Sequence, residues 1–553
     1  MKKHFEKITV LSDIKVDDLI VNQCLDTSDP EYGGFKVKGK GFSEPAWVMF
    51  SASYMLAQYY NDKSRHYGKG MLLDRVKAAM NYTVSRQYED GTIDLLETNF
   101  HDSTTVAFVI QHAAYAYRVL KKYSKGTVIE NEIEDMFMSF FHKSADGMKN
   151  GGFHTPNHRW VMCSAMALLM NILDRKDLSD EIILYLRELI DCNEYGEYSE
   201  RSAGTYNEIC NRSLIIMGRE LNMPGLYEYV KRNLYMMFTY IEPDMTLCTM
   251  NSRRQDFGKK IYPGIYYENY LLMGHLTKNP HFSYMADYLL SMYNDWRGDT
   301  GPFSPLEFPF LGLRYMADDF LRENDLVCEK YDYEKYERFF QLSDIVRIRD
   351  KNITVTILAK SEAFMKFQKG TNQIIFRLAG SYFGPKGKFI PTSVEKTDRG
   401  YKLSYNCEWG YVRPCGKEKN NVIDGRTNWD IRDKVNMMTW SLIVDISFEN
   451  GCAKIDMDSS GVNRLPVKLE MIFPAGGRLN NSFLSMEGFP GTGVIIKEGE
   501  FSYSLAGDSI LISGAFGQHE YTTEMRGAPL ADREGFTVNF TGFSPLKKTV
   551  YIK

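Results

Sequence analysis

Apolar residues between about residues 42 and 330 recur at spacings of three and four, which places their side chains on one face of an α-helix. Most of these apolar segments run for 12–20 residues, and Gly, Pro or Asp residues separate them. This part of the chain is therefore predicted to be helical. The predicted helical segments are 41–60, 69–87, 104–123, 158–175, 181–192, 207–221, 226–241 and 285–296.

A short turn followed by a strand-like piece recurs after every second helix. The turns are centred on Gly91, Gly152, Gly196, Asp244 and Gly301, at intervals of 61, 44, 48 and 57 residues. A period near 50 residues fits one helical hairpin per repeat. About six such hairpins in a ring would form an α/α toroid, in which each hairpin buries its inner face against its neighbours.

The hydrophobic pattern changes from about residue 345 onward. Short runs rich in β-branched residues alternate with turns, for example 354–360, 439–451 and 466–476, which indicates an antiparallel β-sandwich. The sequence therefore predicts an α+β multidomain protein. The predicted parts are an α/α toroid over residues 1–330, a linker over 331–345 and an antiparallel β-sandwich over 346–553.

Polar residues cluster within about 5–12 residues of the recurring turns. The clusters are 98–103, 154–160, 198–207 and 251–256. Because the same phase in a ring of hairpins corresponds to the same rim, we expect the four clusters to meet at one mouth of the toroid. A concave site with several converging polar groups is the usual place for binding or catalysis.

The clusters are rich in His, Asn, Tyr and Arg. Histidine is suited to removing a proton next to a carboxylate near neutral pH. Asn and Arg can stabilise the enolate-like charge that results, and a Tyr hydroxyl can protonate the departing oxygen. This set of groups fits β-elimination at a 4-O-linked uronic acid, with no metal or organic cofactor required.

Two other functions remain open at this point. A toroid glycoside hydrolase acting on uronic-acid-containing oligosaccharides would use carboxyl groups as acid and base, and Asp102, Glu200 and Asp256 lie in suitable loops. A carbohydrate-binding protein without catalytic activity would use the same rim for recognition only. Trp47 and Trp160 could serve as sugar platforms, although tryptophans on a helix face more often pack in a core.

The spacing of Asn157 and His158, then Tyr206, then Arg253 and Arg254 resembles that of the toroid polysaccharide lyases, which include heparinase II/III-like and alginate lyases. The resemblance covers the layout of the whole chain, but its motifs cover only about 99–256. It implies a polysaccharide lyase in which Asn157 neutralises the substrate carboxylate, His158 is the base and Tyr206 is the acid. In some such enzymes one Tyr has both roles, so those of His158 and Tyr206 could merge.

The resemblance also implies that Arg253 or Arg254 binds or neutralises the uronate; we predict Arg253 as the catalytic one and Arg254 as a substrate-binding one. Tyr198 competes with Tyr206 as the acid. Some members of the group bind a structural zinc ion through histidines of the sandwich. The sandwich of this sequence has only one histidine, His519, so no metal is expected. The predicted substrate-binding residues are Asn99, His101, His154, Trp160, Tyr198, Glu200, Arg201, Asn207, Arg254 and Asp256.

Composition narrows the possible partners. The 553 residues include 67 basic and 71 acidic ones, a formal net charge of -4, which argues against binding to nucleic acid through phosphate neutralisation. No apolar run reaches the length of a membrane span, and none follows the N-terminus as a signal peptide would. This pattern predicts a cytoplasmic enzyme that acts on an oligosaccharide. A leader that had been removed would leave the same pattern. Neither the particular uronate nor the oligomeric state follows from these features.

Overall fold

In the computed structural model of the chain, the described residues are 2–292, 308–323, 327–414, 422–423, 426–427 and 431–553. They form two compact units. Unit 1 comprises residues 1–241 and 245–331, and unit 2 comprises 242–244 and 332–553. The turn predicted around Gly301 lies outside the described residues, as does the end of the helical segment predicted over 285–296.

The described residues of unit 1 form helices and one short hairpin, β1 (Ile93–Leu95) with β2 (Asn99–Asp102). Its helices are α1 (Lys2–Asn22), α2 (Pro45–Tyr60), α3 (Met71–Val84), α4 (Ser103–Tyr123), α5 (Val128–Asn150), α6 (Pro156–Leu173), α7 (Asp177–Arg187), α8 (Tyr206–Glu220), α9 (Tyr227–Phe238), α10 (Tyr267–Thr277), α11 (Pro280–Ser291), α12 (Phe308–Ala317) and α13 (Phe320–Glu323).

The helices of unit 1 alternate between an inner and an outer layer. Each of α2, α4, α6 and α8 contacts the next even-numbered helix as far as α10, and the odd-numbered helices α3 to α11 pack beside them. Helix α12 packs against α1, α2 and α4. Apolar residues cover several faces of the inner helices because each has neighbours on more than one side; in α6 a run from Trp160 to Leu169 is buried. The predicted helical hairpins are thereby confirmed.

Two of the recurring turns require glycine for the same reason. Gly91 and Gly196 adopt φ of +81° and +91°, a region that residues with a Cβ rarely enter. A Cβ at Gly91 would lie 1.9 Å from the carbonyl oxygen of Lys143 on α5, and one at Gly196 would lie 2.4 Å from that of Arg232 on α9. Each turn therefore packs its backbone directly against an outer helix.

Unit 2 is an antiparallel β-sandwich of two sheets that share one apolar core, as predicted. Its strands are β3 (Lys335–Phe340), β4 (Ile345–Asp350), β5 (Ile353–Leu358), β6 (Ala363–Lys369), β7 (Asn372–Gly380), β8 (Val394–Thr397), β9 (Gly400–Val412), β10 (Val422–Ile423), β11 (Arg426–Thr427), β12 (Lys434–Glu449), β13 (Cys452–Gly461), β14 (Leu465–Pro474), β15 (Arg478–Asn480), β16 (Ser485–Glu487), β17 (Gly493–Ile495), β18 (Glu498–Leu505), β19 (Asp508–Phe516), β20 (Gly535–Ser544) and β21 (Leu546–Ile552).

The two sheets have the strand orders β16-β15-β18-β19-β21-β13-β12-β9-β8 and β17-β20-β14-β7-β6-β5-β4-β3. Neighbouring strands in them pair antiparallel, except that β17 pairs parallel with β20. The alternation of buried and partly exposed residues along β13 shows how a strand of the sandwich presents one face to the core.

Two local predictions need correction. The segment 331–345 is not a linker, because strand β3 forms an edge of the second sheet by pairing with β4. Its charged residues suggested a solvated segment; on an edge strand, charges of this kind prevent pairing with another chain. The strand-like piece predicted after Gly152 is irregular, since residues 151–155 join α5 to α6 without pairing to another strand.

Candidate active site

A cavity of about 750 Å³ opens within unit 1. Its wall is formed by the segments that precede the inner helices and by the first turns of those helices. Members of all four predicted polar clusters lie on this wall, so the structure brings together groups that are far apart in sequence. These members are Thr98, Asn99, Asp102, His154, Thr155, His158, Tyr206, Arg254 and Gln255.

His158 lies in the first turn of α6, where Pro156 occupies an initial helix position that needs no N–H. Its ring is 9% exposed, and its Nδ1 has no hydrogen-bond partner among the described residues. Burial, followed by the neighbouring His154, lowers the pKa of His158 to about 4. The imidazole is therefore neutral at pH 7 and able to accept a proton.

His154 lies beside His158 at the cavity wall, with its ring 4.7 Å from that of His158 and perpendicular to it. Phe108 of α4 packs edge-on against His158 from another side, with 6.1 Å between the ring centroids. The base candidate is thus held by rings on two sides, which fixes the plane of the imidazole.

Asn157 does not face the cavity, contrary to its predicted role as the carboxylate neutraliser. Its side chain is fully buried, and its amide group donates hydrogen bonds to Glu200 Oε2 (2.8 Å) and to Thr155 Oγ1 (3.2 Å). A residue next to His158 on a helix projects in a different direction, about 100° away around the axis. The amide that does line the cavity is that of Asn99, which donates to Asp102 Oδ2 at 3.1 Å.

Glu200 connects Asn157 to the cavity wall. Its Oε2 accepts from Asn157, and its Oε1 accepts from Arg254 at 2.6 Å. Glu200 is 5% exposed, and burial raises its pKa while the hydrogen bond from Asn157 and the charge of Arg254 oppose that shift. Asn157 and Glu200 are therefore positioning residues for the Arg254 guanidinium.

Tyr206 and Arg254 form another part of the wall. Tyr206 is the first residue of α8, and its hydroxyl group donates a hydrogen bond to Gln255 Oε1 at 3.2 Å. The Arg254 guanidinium lies over the Tyr206 ring, 4.4 Å from its centroid. A guanidinium at this position favours a negative charge close to the phenol.

Arg253, predicted to be catalytic, does not line the cavity. Its backbone N–H donates to the carbonyl oxygen of Glu200 at 3.1 Å, and its guanidinium reaches the carbonyl oxygen of Ser199 at 3.5 Å. Residues 251–258 form a series of bends and turns, and of this pair only Arg254 lines the cavity. Arg201 also lies outside the wall.

Five other predicted binding residues do not line the cavity and instead make contacts within the fold. Trp160 is fully buried and donates to Asp191, and Tyr198 is 2% exposed and donates to Asn211. Asn207 is 1% exposed, and Asp256 accepts from Ser202 and from the Gly204 backbone. His101 is exposed but pairs with Asp90 and stacks on Tyr88 away from the cavity. None of the five is positioned to contact a sugar in the cavity.

Several cavity residues were not among the predicted site residues. Trp47 is 50% exposed on the wall, so of the two tryptophans considered as sugar platforms the accessible one is Trp47 and not the predicted Trp160. The cavity is also lined by Tyr54, His112, Glu208, Arg212, Glu268 and Phe310. These residues lie within helices, where the available sequence signal is a charged residue that interrupts an apolar segment. Arg212 and Glu268 are examples.

The helical-hairpin unit and the two-sheet sandwich together are the fold of the toroid polysaccharide lyases. Comparison of the sequence with family models and with curated proteins found no match. The structure is similar to chondroitin AC lyase of Streptomyces coelicolor A3 solved with chondroitin sulphate (TM-score 0.55, 10% identity, 99% of this chain and 79% of that one).

It is also similar to heparinase III (TM-score 0.53, 9% identity, 91% and 76% covered) and to a heparan sulfate lyase of Pedobacter heparinus (0.51, 10%, 98% and 82%). At these identities the likeness shows the fold, and the chemistry has to be argued from the site. No helix among the described residues combines the length and the apolar character needed to cross a bilayer.

Proposed function

We propose that this protein is a polysaccharide lyase that cleaves a 4-O-linked uronic acid by β-elimination. The observation that carries the proposal is the convergence of His158, Tyr206 and Arg254, from three separate polar clusters, on one cavity of a toroid-lyase fold. These groups supply a neutral base, a hydroxyl acid and a fixed cation, which are the three functions that the elimination needs.

The first step is removal of the proton at C5 of the uronate. Arg254, held by Glu200, binds the substrate carboxylate, and the amide of Asn99, which also lines the cavity, adds a second donor. These donors stabilise the negative charge that moves onto the carboxylate as C5 loses its proton. The neutral imidazole of His158 accepts that proton.

The second step breaks the bond between C4 and its oxygen. The electron pair left at C5 forms the C4–C5 double bond, and the bond to O4 breaks. The Tyr206 hydroxyl gives its proton to O4, so the leaving sugar departs as a neutral alcohol. The phenolate that remains is stabilised by the Arg254 guanidinium above the ring, and the proton on His158 restores the phenol through solvent.

The loop carboxylates that a glycoside hydrolase would need are already engaged. Asp102 caps α4 by accepting from the Thr104 backbone at 2.9 Å and from Thr105 Oγ1 at 2.7 Å. Glu200 accepts from Asn157 and Arg254, and Asp256 accepts from Ser202 and Gly204. These donors occupy the oxygens of the three carboxyl groups and hold them in structural roles.

The proposal is tested by product chemistry. Wild-type protein is incubated with oligosaccharides of chondroitin, hyaluronan, heparan and alginate, and both chain length and ultraviolet absorbance are followed. Elimination gives shortened chains whose new ends absorb, because the C4–C5 double bond is conjugated with the carboxylate. Shortening without absorbance would replace the proposal with hydrolysis, for which Glu208 and Glu268 line the same cavity. Binding without any shortening would support a recognition protein.

The acidic limb of the pH–rate profile tests the role of His158. Because its pKa is lowered to about 4 by burial, His158 is neutral and competent as a base above pH 4 and becomes protonated as the pH falls through that value. We expect kcat/KM of the wild-type enzyme to fall tenfold per pH unit below about pH 4. A limb near the ordinary histidine value of about 6.5 would contradict this assignment.

A further inference from the structure

An exposed aromatic surface lies in unit 2, near the end of strand β9. Trp409 and Tyr411 are two residues apart on this strand, so their side chains project from the same face of the sheet. They are 37% and 58% exposed, whereas Trp440, which pairs with Cys407 further along that face, is fully buried. The face that forms the core along most of β9 is thus open to solvent at this end.

The backbone that presents Trp409 is fixed from the interior of the sandwich. Opposite Trp409 and Tyr411, the pairing of β9 with β12 contains a β-bulge between Val435 and Met438. The hydroxyl group of Tyr382, which is 2% exposed, accepts from the Trp409 N–H at 3.1 Å and donates to the Met438 carbonyl oxygen at 2.6 Å. Because a β-bulge redirects the side chains beside it, the exposure of the two rings is a defined feature of the fold.

Two lysines lie against the Trp409 ring. Nζ of Lys386 is 4.5 Å from the ring centroid and Nζ of Lys434 is 5.3 Å from it, distances at which a cation is attracted to an aromatic ring. Neither ammonium group forms an ion pair with a residue that the structure describes. Phe383 packs edge-on against Tyr411, with 5.4 Å between the ring centroids. These five residues are called here the aromatic–lysine patch.

The segments that carry the patch are basic, although the whole chain is not. Residues 383–388, 407–413 and 431–434 include five Lys or Arg residues and two Asp or Glu residues, in a chain whose net charge is -4. Such a local excess of cations attracts an anionic ligand. The exposed rings beside the cations favour a ligand that also has an apolar face.

An acidic polysaccharide supplies both features. The C–H face of a sugar ring can pack on an exposed ring such as that of Trp409, and a carboxylate or sulfate group can accept from Lys386 or Lys434. A nucleic acid combines bases with phosphates, but it binds by neutralising several phosphates at once, which the negative net charge opposes. A stable protein partner usually contacts roughly 20–30 residues, far more than the patch contains.

We propose that the aromatic–lysine patch is a second carbohydrate-binding site, which takes acidic polysaccharide and is separate from the cavity, whose lining residues all belong to unit 1. The proposal goes beyond the proposed function, because binding at the patch requires no cleavage and no contact with His158, Tyr206 or Arg254. For a polysaccharide lyase, the consequence is a higher affinity for long chains, which have further sugar residues available to the patch.

The test is calorimetric binding of polymeric hyaluronan, chondroitin sulfate and alginate to the full chain at low salt, with dextran as an uncharged polymer. All proteins carry Tyr206→Phe, so that little polymer is cleaved during the measurement. We expect at least one acidic polymer to bind, and dextran to bind at least about tenfold more weakly. Trp409→Ala should weaken binding of the best acidic polymer at least about fivefold. Tyr551→Ala, at a β21 side chain that is 40% exposed, is the matched control and should leave the affinity unchanged.

A second variant tests the cations without removing a ring from unit 2. Lys386→Gln combined with Lys434→Gln should weaken binding about fivefold at low salt, and no more than about twofold at about 0.5 M salt, because salt screens exposed charges. Lys547→Gln, at a side chain that is 83% exposed on β21, is the matched control. If Trp409→Ala lowers the unfolding temperature, the lysine variant decides the question.

The outcomes separate the patch from the proposed function. Weaker polymer binding by Trp409→Ala, with no absorbing product from the wild type, would support the patch and contradict elimination. An absorbing product from the wild type, with Trp409→Ala binding as tightly as its control, would do the reverse. Equal binding of dextran, equally tight binding of single-stranded DNA, unchanged affinity in the lysine variant, or no binding of any acidic polymer would overturn the proposal.

Discussion

Tyr206→Phe is expected to lower kcat by about two to four orders of magnitude, the usual contribution of a positioned general acid. The substitution removes one oxygen atom from the first residue of α8 and leaves the ring under Arg254 in place. KM should change little, because the hydroxyl acts on O4 mainly as the bond breaks. The measurement is the initial rate of ultraviolet absorbance on the best substrate, with Tyr284→Phe on the outer helix α11 as the matched control.

Exchange of the C5 proton in deuterium oxide then assigns the base. If His158 removes the proton, Tyr206→Phe should still incorporate deuterium at C5 of the unreacted substrate, and His158→Ala should not. If Tyr206 has both roles, Tyr206→Phe will show no exchange. A loss of kcat below about tenfold in Tyr206→Phe would exclude the hydroxyl as the acid.

Glu242→Ala is expected to destabilise unit 2 by about 3–5 kcal/mol, the range for breaking a buried ion pair. Glu242 is fully buried in that unit, where Arg347 donates to both of its oxygens at 3.1 and 3.0 Å and Thr354 donates at 2.6 Å. Lys366 adds a fourth donor at 3.2 Å. Without the carboxylate, the guanidinium of Arg347, itself 0% exposed, would lose the two oxygens to which it donates.

Urea unfolding of unit 2 measures this loss, and Glu520→Ala, at a side chain that is 77% exposed, should change stability by less than about 1 kcal/mol. Burial alone would raise the pKa of Glu242, but Arg347 and Lys366 hold it at about 2. Because the folded-state pKa is below the ordinary 4.5, the contribution is complete above that pH and is lost as the pH falls toward 2. Equal stability of Glu242→Ala and Glu520→Ala would refute the assignment.

The order of the helices could be predicted from the spacing of apolar residues, because most inner helices contain long apolar runs. Helix α1 was missed because polar residues occupy buried positions on it. Asp13, for example, is 5% exposed and accepts from Gln58 of α2 at 2.5 Å. A pattern of hydrophobic residues does not distinguish a polar residue paired in the interior from one in solvent.

The sequence predicted which segments form the site. It did not predict which side chains of those segments face the cavity. The recurring turns place four polar clusters in phase, which was enough to locate the cavity wall. Which residue of a neighbouring pair faces inward depends on the local backbone direction, and for this reason Arg254 and His158 lie on the wall while Arg253 and Asn157 do not. Glu268 was missed because its partner, Arg314, comes from another helix, and no local spacing reveals that.

The inner helices α2, α4, α6, α8 and α10 all contribute residues of their first turn to the cavity wall, so all five begin there. The peptide dipoles of a helix give its N-terminus roughly half a positive charge, which acts mainly within the first turn. Five such ends supply the mouth with a positive potential that the net charge of -4 does not reveal. An anionic polymer is therefore attracted to the cavity wall by the backbone itself, and this attraction is strongest within about one turn of the helix starts.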